Sequence, residues 1–184
     1  TGAGSRIAII DTGADIDHEA FNAGAYEYSL SLIAEEKGMT AEEYMASLNL
    51  LDAEEIASVL TQLNAYKRVN TLTAEGLAVN TKIPYGFNYA DDDLDIIHLN
   101  DGQGEHGSLV AGIATANAFV PSENGFVAAL DSVFVQGVAP DAQLITMKVF
   151  GKKGGAYDSD YMVAIEDAII LGADSVNLSL GSGS

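Results

Sequence analysis

Cysteine is absent from the 184 residues, which rules out a disulfide framework and a thiolate metal site and fits either a cytosolic protein or a secreted one that does without disulfides. Cationic side chains are scarce, with 8 Lys and Arg against 27 Asp and Glu and a formal charge of −19. So acidic a surface repels phosphate backbones and anionic lipid, which argues against nucleic acid or a membrane surface as partner; the charge mainly promotes solubility. No run of about eighteen apolar residues occurs, so no membrane span is expected. The opening Thr1-Gly2-Ala3-Gly4 has none of the charged and apolar regions of a signal peptide, though a mature secreted protein or an excised piece of one would look the same. Internal repeats and low-complexity tracts are also missing. What is present is 48% hydrophobic residues, enough for the core of one domain at this length.

Taken in order, Arg6-Ile7-Ala8-Ile9-Ile10-Asp11-Thr12-Gly13 reads as a strand covered on both faces, because its apolar run is continuous rather than alternating. Function tends to gather at the carboxyl end of such a strand, where Asp11 falls, although a plain turn residue or cap reads equally well there. Asp15, Asp17, His18 and Glu19 follow closely and read as solvated turn residues rather than metal ligands. Between Asn22 and about Thr81 the pattern becomes helical. Thr40-Ala41-Glu42-Glu43 fits a capping box and Asp52-Ala53-Glu54-Glu55 resembles one. Ile56, Val59, Leu60 and Leu63 then share one helical face, with Lys67 and Arg68 at the end where the helix dipole favours cations. Two amphipathic helices, forming a structural insertion, are expected.

Lys82 to Tyr89 looks extended and suits a strand start or edge; Asp91-Asp92-Asp93-Leu94-Asp95 is an acidic loop and His98 an ordinary loop histidine. Residues 117 to 136, with Pro121, Asn124 and Gly125, form a long connection. Gln143 to Phe150 is a second strong strand, followed by a flexible Gly151-Lys152-Lys153-Gly154-Gly155. A helix begins near Asp158, carries Tyr161, Met162, Ile165, Ala168 and Ile169 on one face, and stops at Gly172. Ser175 to Leu180 is a third strand. Strand, helix, strand at this spacing is a right-handed parallel crossover, so the fold class is α/β, an open and mostly parallel sheet with flanking helices and a helical insertion near residues 22 to 81.

Within this frame, Glu105-His106-Gly107-Ser108-Leu109-Val110-Ala111-Gly112 places a histidine just inside a helix of small residues, where it can sit close against neighbouring backbone. The blocks Ile9-Ile10-Asp11-Thr12-Gly13, His106 to Gly112, and Gly137-Val138-Ala139-Pro140 through Ser179-Leu180-Gly181 occur in the order found in subtilisin-like serine peptidases. The chain resembles the amino-terminal part of that catalytic domain, and most resembles the large cell-envelope peptidases of Gram-positive bacteria, of the lactocepin type. The resemblance implies that residues 1 to 184 are a partial peptidase domain, with Asp11 and His106 as catalytic residues and a polypeptide as substrate. It implies a secreted or cell-surface bacterial location. It assigns the substrate-binding edges to Gly154, Gly155 and Ala156 on one side and Ser179, Leu180 and Gly181 on the other, where small residues let a peptide backbone approach. Asp, His, Ser is the order known for subtilisin.

The nucleophile's Gly-Thr-Ser-Met-Ala type motif has no counterpart in the 184 residues. Ser182 and Ser184 fall too close to the substrate-binding strand to replace it, and Asn177 lies inside that strand rather than where the family's oxyanion asparagine lies. The chain alone is therefore expected to hydrolyse no peptide, and the remaining part of the catalytic domain is an expected partner. Ala20 aligns with a carboxylate of the family's calcium site, so no metal ligand or cofactor is assigned, with calcium left open for the full-length protein. Leu109 replaces the motif's usual second histidine, which is not a triad member. A catalytically dead module that binds protein through the insertion is the alternative. Self-association through a sheet edge left open is a further expectation.

Overall fold

In a computed structural model of the chain, residues 1–181 are described; Ser182 and Ser184 lie outside them. The elements run β1 (Arg6–Asp11), α1 (Ala23–Glu36), α2 (Ala41–Ser47), α3 (Ala53–Val59), α4 (Asn64–Arg68), α5 (Ala74–Leu77), β2 (Tyr85–Asn88), α6 (His106–Thr115), β3 (Phe119–Ser122), β4 (Gly125–Ala128), α7 (Ala129–Ser132), β5 (Gln143–Lys148), α8 (Asp158–Ile170) and β6 (Ser175–Asn177). Four strands form one sheet in the order β2-β5-β1-β6, every pair parallel. β2 is an edge strand, as Pro84 suggests. β6 pairs with β1 rather than with β5, so the connection through α8 passes over β1.

The continuous apolar run of β1 is resolved by the two-residue period of a strand. Ala8 and Ile10 face a core shared with Ile145, Met147, Ala164, Ala168 and the insertion, whereas Ile9 faces a second core with Ala111 of α6, Phe21 and Leu144. Asp11, one step past Ile10, inherits this two-sided burial at the strand's end.

The insertion is fused to the main core rather than attached to its surface. Leu51, Ile56, Leu63, Ala65, Ala74 and Leu77 belong to the same cluster as the sheet, while α1 and α2 pack mainly on each other through Tyr26, Leu30, Ala34 and Tyr44. Polar clasps reinforce it. Arg6 donates to both carboxylate oxygens of Glu55 at 2.8 and 2.7 Å and to the carbonyls of Leu171 and Asn49. The buried Gln143 amide accepts from the N–H of Leu51 and donates to the carbonyls of Leu51 and Thr81. Such a fork-to-carboxylate pair fixes geometry as well as adding energy.

Several local expectations change. The capping box at Thr40 and Glu43 forms, and Asp52 caps α3, but the helix expected to run to Arg68 breaks. Leu63 adopts an extended ψ of 136° between a 3-10 turn and α4, which points its side chain into the core. The buried Asp167 carboxylate accepts the N–H groups of Asn64 and Ala65 at 2.6 and 2.9 Å and the Tyr89 hydroxyl at 2.8 Å, supplying the cap that Leu63 cannot. The connection at 117 to 136 is not irregular: β3 and β4 form an antiparallel hairpin turning at Glu123 and Asn124, with Gly125 at φ 119°. In α8 the buried face is Asp160, Ala164, Asp167 and Ala168, while Met162 and Ile169 are exposed. Gly172, at φ 68°, ends that helix as expected.

Two buried charges in this framework give measurable consequences. Replacing Asp167 with Ala orphans two backbone donors and a hydroxyl, so a loss of about 3 kcal/mol is expected in urea denaturation. Lys82, wholly buried, donates to the carbonyls of Pro140 and Ala142 and lies 5.0 Å from the Tyr26 ring. Burial pulls its ammonium down to about 7, against the opposing pull of Asp141. Between that value and the ordinary lysine range the unfolded chain binds the extra proton, so stability should rise with pH from about 7 towards 10. A Lys82→Met variant, followed by denaturation at a series of pH values, should lose that slope.

Candidate active site

Asp11 and His106 are 95 positions apart and meet where β1 ends and α6 begins. The Asp11 carboxylate is buried, and its Oδ1 accepts the N–H of Thr12 at 2.7 Å. Its two oxygens lie 2.9 and 3.0 Å from Nδ1 of His106. A carboxylate only accepts, so Nδ1 carries the hydrogen and the neutral ring keeps its lone pair on Nε2. The imidazole is 52% exposed, in contrast to 1% for its partner. An oriented base with an open face is the result.

Backbone packing brings the two together. Gly13, at φ 97°, has no room for a side chain: a Cβ there would stand 2.1 Å from the Ile96 carbonyl oxygen. A Cβ on Gly107 would stand 2.1 Å from the carbonyl oxygen of Gly13. The first turn of α6 therefore rests directly on the turn that leaves β1. Hydrogen bonds complete the contact. Glu105 makes no side-chain cap, and the hydroxyl of Thr12 instead accepts the N–H of Gly107 at 2.9 Å while donating to the Gly104 carbonyl at 3.1 Å. Ser108 Oγ accepts the N–H of Asp15 at 2.8 Å, tying the far side of the turn to the same helix.

Thr12 and Ser108 did not stand out as functional from sequence, although both lie in the blocks around Asp11 and His106. Their role needs the two blocks to be adjacent in space. Gly154, Gly155, Ala156, Ser179, Leu180 and Gly181 follow the carboxyl ends of β5 and β6, on either side of β1. Gly154 is in a turn at φ 108° closed by its N–H on the Gly151 carbonyl, and among the described residues a Cβ added at Gly154, Gly155 or Gly181 would meet nothing within 4 Å. Ala156 and Leu180 lean on the main core, and Ser179 Oγ donates to Asn177 Oδ1 at 2.8 Å. Among the described residues, neither stretch hydrogen-bonds to Asp11 or His106.

Other titratable groups around the site have structural partners. His18 Nδ1 accepts the N–H of Ala20 at the head of a 3-10 turn. Asp91 accepts from the N–H of Lys152 and from the Asn88 amide; burial raises its carboxyl, but these bonds outweigh that and hold it below the usual carboxylate range. Among the described residues, no group of three His, Asp or Glu side chains is arranged to hold a metal ion.

Residues 2–184 match the model of the Subtilase family. The chain is 33% identical over 188 residues to the PI-type proteinase of Lactococcus lactis subsp. cremoris, covering 100% of this chain and 8% of that protein. It is 32% identical over 186 residues to a PII-type proteinase of Lacticaseibacillus paracasei, again covering 100% and 8%. Against a C5a peptidase of Streptococcus pyogenes it is 31% identical over 182 residues, covering 98% of this chain and 12% of that protein. The chain thus spans between 8% and 12% of the length of these relatives.

The carboxylate's hold on the ring has a spectroscopic signature. In ¹⁵N NMR of the neutral imidazole, His106 should appear as the Nδ1–H tautomer, and Asp11→Asn should shift the population towards Nε2–H. An unchanged tautomer in that variant would show that Asp11 does not set it.

Proposed function

The chain belongs to the subtilase family, and from that premise we propose that it is the Asp–His portion of a serine endopeptidase, with the nucleophilic serine on a part of the catalytic domain outside these residues. The observation that carries the proposal is the buried Asp11 carboxylate on Nδ1 of a half-exposed His106. In the proposed reaction Nε2 of His106 takes the serine proton as the hydroxyl attacks the peptide carbonyl, then returns it to the leaving amine. Asp11 stabilises the imidazolium formed between those steps without itself being protonated. No cofactor is needed for this chemistry, and none is assigned.

The substrate is proposed to be a polypeptide in extended form. Gly154, Gly155 and Ala156, with Ser179, Leu180 and Gly181, would pair with its backbone, a role supported by the open space at the three glycines. The remainder of the domain is the proposed partner. Exposed Leu109 and Ile113 on α6, beside His106, support an apolar contact there. A secreted or surface location in a bacterium is proposed, in keeping with the bacterial relatives. The reading as a dead binding module is less well supported, because the insertion's apolar residues are already spent in the core.

A serine-directed fluorophosphonate probe tests the proposal. The chain alone should label no residue and turn over no peptide, and adding the complementary segment should produce a labelled serine on that segment. In the assembled enzyme, Asp11→Asn should lower kcat by about 10⁴-fold and His106→Ala by about 10⁶-fold. Turnover by the isolated chain that disappears on His106→Ala would contradict the division of the triad.

A further inference from the structure

Directly beneath the Asp11 turn lies a second ionic contact that the reaction as described does not use. Lys148 ends β5 and is the register partner of Asp11 across the parallel pair. Its side chain is 1% exposed, and its Nζ reaches two acceptors at 2.5 Å: Oδ2 of Asp101, itself 3% exposed, and the main-chain carbonyl of Thr12. These acceptors belong to the two segments that must be held in register for Asp11 to meet His106. Thr12 is the residue after the carboxylate, and Asp101 is in the loop that delivers the chain to α6. Gly13 leaves the lysine its path, since a Cβ there would lie 3.1 Å from Lys148 Cδ.

We propose that Lys148 and Asp101 are positioning residues for the peptidase reaction, a buried ammonium–carboxylate clamp that fixes the Asp11 turn and the His106 approach loop to one point on the sheet. This rests on the reading of Asp11 and His106 as the catalytic pair. The clamp acts through geometry. Nothing else donates a charged hydrogen bond to the Thr12 carbonyl among the described residues, and the loop's other side-chain ties on this side are neutral ones, the Thr12 hydroxyl to the Gly104 carbonyl at 3.1 Å and Gln103 to the Gly151 carbonyl at 2.8 Å. A charge-assisted bond with both partners buried holds its geometry far more tightly than an exposed pair does. Losing one partner leaves an uncompensated buried charge, whereas losing both leaves only the loss of the clamp. That difference separates positioning from mere stability.

The test uses the full-length enzyme with Asp101→Asn, Lys148→Met and the two combined. The double variant should recover most of the stability lost in Lys148→Met, yet keep a kcat about 10- to 100-fold below wild type with KM within about twofold. Its His106 ¹⁵N signals should show a weakened Nδ1–H preference. Asp101→Asn, which is isosteric, should lower kcat in the same direction and by less. A double variant with wild-type kcat and wild-type ¹⁵N signals would overturn the proposal; should that variant not fold, unchanged kcat in Asp101→Asn would do so. Asp11→Asn serves as the control. If it leaves kcat intact, the catalytic reading itself fails, whereas a loss there without one in the clamp variants rejects the clamp alone.

Discussion

The site depends on one close approach of backbone to backbone. Gly107, in the first turn of α6, rests on the Gly13 carbonyl at a distance that excludes even a methyl group, and Gly13 in turn rests on Ile96. Neither contact contributes much energy by itself. Their consequence is geometric, since they leave Asp11 and His106 no separation other than that of a hydrogen bond. Thr12 fits the same arrangement by serving as the cap that α6 lacks.

The rest of the fold works to keep that approach rigid. β1 is inside the sheet, between β5 and β6, and alternates its side chains into two cores, so its carboxyl end cannot shift without disturbing both. The insertion adds to the first of these. Its helices and the turns between them bring Leu51, Ile56, Leu63 and Leu77 into the core, and Arg6 and Gln143 fasten it to the start of the strands. An insertion built this way is part of the scaffold, which explains how the 73 residues from 12 to 84 can separate Asp11 from β2 without loosening the sheet.

Much of this was legible in the sequence because local patterns coincide with tertiary ones. The apolar run ending in Asp11, the small-residue helix after His106, the capping box at Thr40 and the stop at Gly172 each state their structure locally. What the sequence did not reveal is set by partners far along the chain. The break at Leu63 depends on Asp167, about a hundred residues away, offering a cap. Asn124-Gly125 is a recognised turn signal, but Pro121 and few alternating apolar residues hide the strands around it. Met162 and Ile169 fit a helical stripe, yet the buried side of α8 includes Asp160 and Asp167, whose carboxylates accept hydrogen bonds from Arg68 and from backbone N–H groups respectively. The contacts that join Thr12, Asp101 and Lys148 appear only once the ends of β1 and β5 are side by side.

The central claim is that this backbone contact, more than any one side-chain bond, sets the Asp11–His106 geometry. Gly107→Ala in the full-length enzyme tests it most directly, with Gly112→Ala as the control on the same helix, where a Cβ meets nothing within 4 Å among the described residues. The account predicts that Gly107→Ala lowers kcat by about 100-fold or more while Gly112→Ala stays near wild type. Equal activity of the two variants would contradict it.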